Sequence, residues 1–156
     1  MTTDRPKPRV LIVDDNPLTV DVLARSLARQ GYTHLPTAAT VPDAIRQLNA
    51  GLPDAILLDL GLSLQDGHVL LRHLRRAPLW SPVPVFMVTG QHSASAIKGA
   101  AAEGASGFIT QPFNGSEIVH KIERAVGEWR SRAAELDDLL QLDPSPSSDG
   151  DGERAR

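Results

Sequence analysis

Residues 55–58 form an unbroken apolar run, Ala-Ile-Leu-Leu, that leads directly into the carboxylate of Asp59. A short apolar run without alternation is typical of a strand that is buried on both faces of a parallel sheet. Ligands of open α/β sheets bind outside the carboxyl ends of the strands, so Asp59 is a candidate site residue. Because Asp is also common where a strand passes into a turn, this run alone leaves a turn-capping role open.

Similar apolar runs recur along the chain and alternate with segments of helical spacing. Five such alternations with short connections predict right-handed βαβ crossovers, and therefore an α/β fold with a parallel sheet covered on both sides. A flavodoxin-like, doubly wound sheet of strand order 2-1-3-4-5 is the arrangement we expect for this alternation. The second strand contains Pro36, which favours an edge position. The predicted strands lie at residues 9–13, 33–38, 55–59, 82–88 and 108–110, and the predicted helices at 17–30, 41–50, 66–76, 93–103 and from 114 or 116 onward.

The composition limits the classes of function that the chain can serve. It has no cysteine, which excludes a disulfide framework and a Cys-based zinc site. A net charge of -3 and a pI near 5.9 give no electrostatic footprint for nucleic acid. The first residues lack the apolar core of a signal peptide, so we expect a cytoplasmic protein with no membrane partner. Arg72, Arg75 and Arg76 predict a solvated helix face rather than a phosphate-binding patch.

Polar side chains stand at the carboxyl ends of three predicted strands. Asp14 and Asp15 follow the first strand, Asp59 ends the third, and Thr89 ends the fourth. The first and third strands are neighbours in this sheet order, so the three carboxylates converge. Carboxylates this close repel one another unless a proton or a cation is present, and oxygen ligands of this kind suit Mg²⁺. Together with a hydroxyl at Thr89, this arrangement predicts aspartyl-phosphate chemistry.

The chain resembles the receiver domains of two-component response regulators, of which the chemotaxis receiver is the minimal example. The resemblance covers about residues 9 to 126, and its motifs are highly specific in combination. The matching stretches are residues 10–16 (Val-Leu-Ile-Val-Asp-Asp-Asn), 57–60 (Leu-Leu-Asp-Leu) with Asp66-Gly67, 88–90 (Val-Thr-Gly), and 104–109 (Gly-Ala-Ser-Gly-Phe-Ile) leading to Pro112-Phe113.

The resemblance implies a role for each residue of this cluster. Asp59 is the implied phosphoacceptor, which takes a phosphoryl group from a histidine of a sensor kinase or a phosphotransfer protein. Asp14 and Asp15 are the implied acidic pair that holds Mg²⁺ together with Asp59 and the backbone carbonyl of Gly61. Thr89 resembles the switch hydroxyl that moves in to bind a phosphoryl oxygen.

Phe108 and Gln111 stand within and just after the fifth predicted strand. Phe108 stands where the family has an aromatic side chain that turns inward with the switch hydroxyl, and a core aromatic with one rotamer is the alternative. Gln111 stands where the family has a lysine, so the amide NH₂ is a neutral donor in place of a cation. Lys98 does not replace that lysine, because the pattern places it on the fourth helix. The resemblance also suggests a cis peptide bond between Gln111 and Pro112.

Two hypotheses about function follow from these residues. In the first, the chain is a single-domain response regulator that is phosphorylated on Asp59 and signals through protein contacts. In the second, it is a degenerate receiver that binds or dimerises independently of phosphorylation, as the exchange at Gln111 would allow. An enzyme such as a haloacid-dehalogenase-type phosphatase is not favoured, because it needs an Asp-x-Asp pair and Gly61 occupies the second position after Asp59.

The end of the chain extends beyond what the sheet requires. Apolar residues at alternating steps of three and four predict a heptad seam of about three repeats, and hence a parallel coiled-coil homodimer. The alternative is that the first members of the seam face the sheet and the rest is a solvated helix. We expect a flexible N-terminus at residues 1–8, a receiver domain at 9–127, a helical extension at 128–142, a disordered tail at 143–156, and no second domain. The seam comprises Val119, Ile122, Val126, Trp129, Ala133, Leu136 and Leu140.

Overall fold

A computed structural model of the chain describes residues 7–62, 64–90 and 94–141, except for the side chains of residues 64–66. The predicted tail at 143–156 and most of the predicted flexible N-terminus lie outside these residues. Strands and helices alternate five times through the described residues. In chain order they are β1 (Val10–Val13), α1 (Pro17–Ala28), β2 (Thr37–Ala38), α2 (Val41–Ala50), β3 (Ala55–Asp59), α3 (Leu64–Arg76), β4 (Val85–Thr89), α4 (Ala94–Ala102), β5 (Gly107–Thr110) and α5 (Gly115–Gln141).

The five strands form one parallel sheet of order β2-β1-β3-β4-β5, which confirms the predicted fold class and topology. Successive residues of a strand point to opposite faces, and helices cover both faces. On one face, side chains from β1, β3 and β4 pack with α2, α3 and α4, and on the other face they pack with α1 and α5. All four residues of β1 and the first four of β3 are buried, as their unbroken apolar runs predict.

Local side-chain hydrogen bonds fix where several helices begin. The carboxamide oxygen of Asn16 accepts from the backbone N–H of Leu18 at 3.0 Å, and Pro17 occupies the first turn of α1. Asn114, and not Ser116, is the residue that caps α5. Its Oδ1 accepts from the backbone N–H groups of Ser116 and Glu117 at 3.1 and 3.3 Å.

The structure differs from the sequence prediction at the two strands that contain proline. Only Thr37 and Ala38 form β2, because Pro36 has no N–H to donate, although its carbonyl accepts from Ile12 at 2.9 Å. β4 begins at Val85 rather than at residue 82, since the N–H of Val83 closes a turn onto the carbonyl of Trp80 at 3.0 Å. Pro36 does lie on an edge strand, as predicted.

One of the three arginines on α3 is not the solvated side chain that the sequence suggests. The Arg75 guanidinium donates to the carbonyls of Gly104, Ser81 and Val83 at 2.8, 3.0 and 2.7 Å. It therefore joins α3 to the segments that enter β4 and β5. The sequence did not reveal this role because the acceptors are backbone groups in distant loops.

The last helix is longer than the sheet that it covers. Val119, Ile122 and Val126 are buried against the sheet, which confirms that the first part of the predicted seam faces the domain core. After Val126 no residue of α5 is buried, and Trp129 alone is half-buried. Within the described part of the chain, no helix is both long and apolar enough to cross a bilayer.

Candidate functional site

The three predicted carboxylates do converge at one edge of the sheet. β1 and β3 run side by side with Val13 opposite Leu58, so the next residues, Asp14 and Asp59, are neighbours. Asp15 follows directly and is exposed to solvent. Carboxylate oxygens of Asp14, Asp15 and Asp59 all lie within 4.8 Å of one another. This spacing allows one cation to contact all three groups.

Asp14 is the buried member of this cluster, with 4% of its surface exposed. Burial, followed by the negative charges of Asp59 and Asp15, raises the pKa of Asp14 from 3.8 to about 6. A hydrogen bond of 2.8 Å from the N–H of Asn16 to Asp14 Oδ1 acts in the opposite direction but is outweighed. The cluster therefore holds more negative charge than its surroundings stabilise, as is expected of a site that receives a cation.

Asp59 is oriented by the loop that follows it. The backbone N–H of Gly61 donates to Asp59 Oδ1 at 2.8 Å, and the N–H of Leu62 donates to the Asp59 carbonyl at 3.2 Å. The start of α3 packs closely on this loop at Gly67, where an added Cβ would lie 3.2 Å from the same carbonyl oxygen. The carboxylate is thus held at the surface by backbone groups, partly exposed and open to a reactant.

Thr89 stands at the end of β4, one residue beyond the Val88 that pairs with Asp59. Its side chain is 2% exposed, and among the residues that the structure describes its hydroxyl has no hydrogen-bond partner. An unpaired buried polar group costs about 1–3 kcal/mol, so its presence needs an explanation. A hydroxyl that donates only when a ligand arrives provides one.

The fifth strand brings Gln111 to the same edge. Its backbone N–H donates to the carbonyl of Thr89 at 3.3 Å, and its carboxamide lies against Gly90, where an added Cβ would be 3.8 Å from Oε1. The peptide bond from Gln111 to Pro112 is cis, as the family resemblance suggested. Lys98 is exposed on α4, in agreement with its predicted position.

Phe108 and Lys121 connect this edge to the last helix. Phe108 is half-buried and packs against the core on the side of α2, α3 and α4. The ammonium group of Lys121 on α5 donates to the Phe108 carbonyl at 2.6 Å and lies 3.6 Å from Glu117. The sequence analysis missed Lys121. Its spacing of four residues from Glu117 was the only signal, and that spacing predicts a helix-surface ion pair rather than a contact with a strand.

Comparison with known proteins identifies the class that this fold and site define. A family model described as the response regulator receiver domain matches residues 10–123, which is most of the chain. The chain therefore belongs to the response regulator receiver family. The substitution at Gln111 is a property of this chain that the family match does not address.

Individual relatives agree with the family match. The chain is 33% identical over 141 residues to the transcriptional regulatory protein TcrA of Mycobacterium tuberculosis, an alignment that covers 88% of this chain and 54% of TcrA. It is 33% identical over 113 residues to the transcriptional regulatory protein YvrH of Bacillus subtilis, covering 72% of this chain and 46% of YvrH. The chain thus spans about half the length of these curated relatives.

Solved structures show the same fold. The receiver domain of NtrX from Brucella abortus superposes with a TM-score of 0.68 at 29% identity, covering 76% of this chain and 98% of that domain. A CheY-like receiver domain protein from Methanospirillum hungatei superposes with a TM-score of 0.71 at 26% identity, covering 82% of this chain and 99% of the other.

Proposed function

We propose that this chain accepts a phosphoryl group on Asp59 from a histidine of a sensor kinase or of a histidine phosphotransfer protein. The observation that carries the proposal is the convergence of Asp14, Asp15 and Asp59 at strand ends, beside the buried and unpaired hydroxyl of Thr89. In the reaction a carboxylate oxygen of Asp59 attacks phosphorus while the bond from phosphorus to the donor nitrogen breaks. The nitrogen retains the electron pair of that bond.

The residues present fit the Mg²⁺ that the family implies. Three carboxylates within 4.8 Å and a raised Asp14 pKa are the donor set and the charge imbalance that a hard divalent cation relieves. In this proposal Asp14, Asp15, Asp59 and the Gly61 carbonyl hold the ion. When bound, it neutralises charge on the phosphoryl oxygens during transfer.

The neighbouring groups have separate tasks in the proposed mechanism. The Gly61 N–H fixes one Asp59 oxygen and so orients the other for attack. Thr89 donates its hydroxyl to a phosphoryl oxygen, with Phe108 as the aromatic residue of the switch. Gln111 offers its amide NH₂ to the same group. A neutral hydrogen bond is about half as strong as a charge-assisted one, so we expect this receiver to depend more on the metal ion than one with a lysine there.

Phosphorylation with a small phosphodonor tests the proposal. In Mg²⁺ we expect the full chain to gain the mass of one phosphoryl group, and Asp59→Asn to gain none. Asp54→Asn is the matched control, because it removes a carboxylate at the opposite end of β3, where Asp54 accepts from the Arg9 N–H. We expect it to be labelled normally. Equal labelling of the native chain and of Asp59→Asn would show that another residue accepts the phosphoryl group.

A degenerate receiver is the second candidate, and the neutral Gln111 is the observation that favours it. It predicts no Asp59-dependent labelling under conditions that label an ordinary receiver, together with unchanged partner binding in Asp59→Asn. Gln111→Lys then distinguishes the two hypotheses further. Labelling that appears only in this variant would assign the loss of function to the missing cation.

The output is proposed to pass through protein contacts, among them a homodimer through the last helix. The named relatives TcrA and YvrH are transcriptional regulatory proteins, about half of whose length the chain matches. We propose the division into a receiver at 9–127 and a helical extension at 128–142. Function without nucleic-acid contact and in the cytoplasm stays a prediction from the sequence.

A further inference from the structure

The final four turns of α5 carry apolar side chains that nothing in the described chain covers. Leu136, Leu139 and Leu140 are 58%, 63% and 72% exposed. Isolated helices of this length are marginal in water, and helices in proteins are stabilised chiefly by packing of an apolar face. The described part of α5 beyond Val126, residues 127–141, is called the extension from here on and replaces the range of 128–142 predicted from the sequence. Its apolar stripe implies a surface that packs on it.

The first part of the predicted heptad seam is not available to a partner helix. Its three N-terminal members, Val119, Ile122 and Val126, are 8%, 0% and 2% exposed, because they pack against the domain's own sheet. Residues of one seam share one helix face. A parallel partner helix that followed this face toward the N-terminus of α5 would enter the core of the domain, so a pair along the whole predicted seam is not compatible with this packing, and only the part beyond Val126 is open to a partner helix.

The order of charges along the extension favours the opposite orientation. Basic residues come first, Arg130 and Arg132, and acidic residues follow, Glu135, Asp137 and Asp138. This order opposes the dipole of the helix, which favours acids near the N-terminus and bases near the C-terminus, and no basic residue lies in the last turn. An antiparallel copy would place each basic half beside the other's acidic half.

Two local ion pairs do not remove this complementarity. Arg130 lies 3.4 Å from Asp54 of its own domain, and Glu128 lies 3.5 Å from Arg124. Both pairs are exposed, and such pairs contribute little. Glu128 is the one acidic residue in the basic first half of the extension, and its pair with Arg124 accounts for it.

A groove lies where the tip of an antiparallel partner would arrive. It has a volume of about 430 Å³ and lies between α5 and the segments that enter β4 and β5. Pro82 and Pro84 form one wall, and Trp129, Ala133 and Leu136 are on the helix side. Trp129 and Leu140 are separated by roughly 16 Å along the helix at 1.5 Å per residue. In an antiparallel pair that places Ala133 of one copy opposite Leu136 of the other, Leu140 of the first copy lies level with Trp129 of the second.

We propose that the extension binds a second copy of this chain in an antiparallel, two-fold symmetric pair. Ala133 packs against Leu136 of the other copy. Leu140 enters the groove of the other copy, between Pro82 and Trp129. Arg130 lies beside Asp137 of the other copy, twice by symmetry. The inference adds a partner surface to the proposed signalling function and does not depend on phosphorylation. Two fifteen-residue helices form a small interface, so we expect a dissociation constant on the order of 10 μM.

Sedimentation equilibrium of the full chain over a dilution series tests the pairing. We expect the average mass to rise from one chain to two, and Leu136→Glu to raise the dissociation constant at least about a hundredfold, because two leucines leave the interface. Ser131→Glu adds the same charge on the opposite side of the helix and is expected to leave the constant unchanged. Circular dichroism confirms that both variants keep their helix content.

Cysteine cross-linking tests the orientation, and the natural chain has no cysteine to interfere. In an antiparallel pair, Arg130→Cys and Asp137→Cys come together only across two copies. We therefore expect a covalent dimer when the two variants are mixed and oxidised, and little when each is oxidised alone. Leu140→Cys alone is expected to stay monomeric, since its own counterpart is at the far end of the pair.

Three results would overturn the proposal. A full chain that remains monomeric at roughly ten times the expected dissociation constant excludes the pair. Efficient cross-linking of Leu140→Cys alone indicates a parallel pair. A monomeric Trp80→Phe variant, in which Trp129 is the remaining tryptophan, whose emission changes on removal of residues 142–156 assigns the groove to the chain's own C-terminal segment. None of these measurements uses a phosphodonor, so they leave the Asp59 proposal to its own test.

Discussion

Each end of the sheet holds a charged side chain, the half-buried Arg75 at one end and the buried Asp14 at the other, and the two differ in their hydrogen-bond partners. At the amino ends of β4 and β5 the Arg75 guanidinium donates to three backbone carbonyls and also lies 3.3 Å from the Ser106 hydroxyl. At the carboxyl ends Asp14 faces two further carboxylates, and Thr89 has no partner among the described residues. Among the described residues, the charge at the first end has hydrogen-bond partners for its guanidinium, whereas the carboxylates at the second end have no cationic partner.

This difference separates a charge that hydrogen bonds within the described chain satisfy from a cluster of charges that they do not satisfy. Buried polar groups that are fully hydrogen-bonded stabilise one conformation, whereas unsatisfied ones cost free energy and persist where a ligand completes them. Burial lowers the pKa of Arg75, yet the neutral oxygens around the guanidinium leave it little need for a counter-ion. The comparison therefore predicts large losses of stability from changes at Arg75, and neutral or favourable effects from changes at the acidic end.

The largest expected effect is that of Arg75→Ala. The substitution leaves the carbonyls of Gly104, Ser81 and Val83 without their donor, and we expect the free energy of unfolding to fall by about 2–4 kcal/mol. Urea denaturation measures the change. Arg76→Ala is the control, because Arg76 is an exposed neighbour on the same helix, and its expected effect is within about 0.5 kcal/mol. Similar losses for both variants would contradict the structural role of Arg75.

The pH dependence of stability in the metal-free protein has the next largest expected effect. The pKa of Asp14 is raised from 3.8 to about 6, so the folded state binds more protons than the unfolded state between these values. The contribution of Asp14 to stability is therefore fully present below about pH 4 and is lost as the pH rises through 6. The loss amounts to about 1–3 kcal/mol.

Chemical denaturation in EDTA at pH 5 and pH 7.5 measures this loss. We expect Asp14→Asn to flatten the profile and to be the more stable protein at pH 7.5, while Asp54→Asn keeps the native slope. Added Mg²⁺ is expected to stabilise the native chain at pH 7.5 and to have little effect on Asp14→Asn. A profile that Asp14→Asn leaves unchanged would show that another group titrates.

The sequence predicted the acidic end better than the opposite end, for a physical reason. The positions of Asp14, Asp59 and Thr89 follow from strand ends and strand order, which apolar runs and turn residues encode locally. Arg75 and Lys121 donate to backbone carbonyls of distant segments. Every residue has such a carbonyl, so the side-chain pattern does not predict which of them accept. The spacing of the last helix left open whether Val126 faces a partner helix or the sheet, because a heptad seam and a sheet-facing stripe have the same period; the structure shows that Val126 packs in its own domain.

The smallest expected effect is that of Thr89→Val, and it tests the acidic end most directly. Valine has nearly the shape of threonine without the hydroxyl, so it removes a buried group that has no partner among the described residues. We expect the free energy of unfolding to stay unchanged or to rise by up to about 1 kcal/mol. Thr110→Val, opposite Thr89 on β5 and exposed, is the matched control with an expected change within about 0.5 kcal/mol. A loss above about 2 kcal/mol in Thr89→Val would mean that the hydroxyl is bonded in the unliganded protein. The polar groups at both ends of the sheet would then have hydrogen-bond partners within the chain. Thr89 would be a structural residue rather than one that donates to a phosphoryl oxygen.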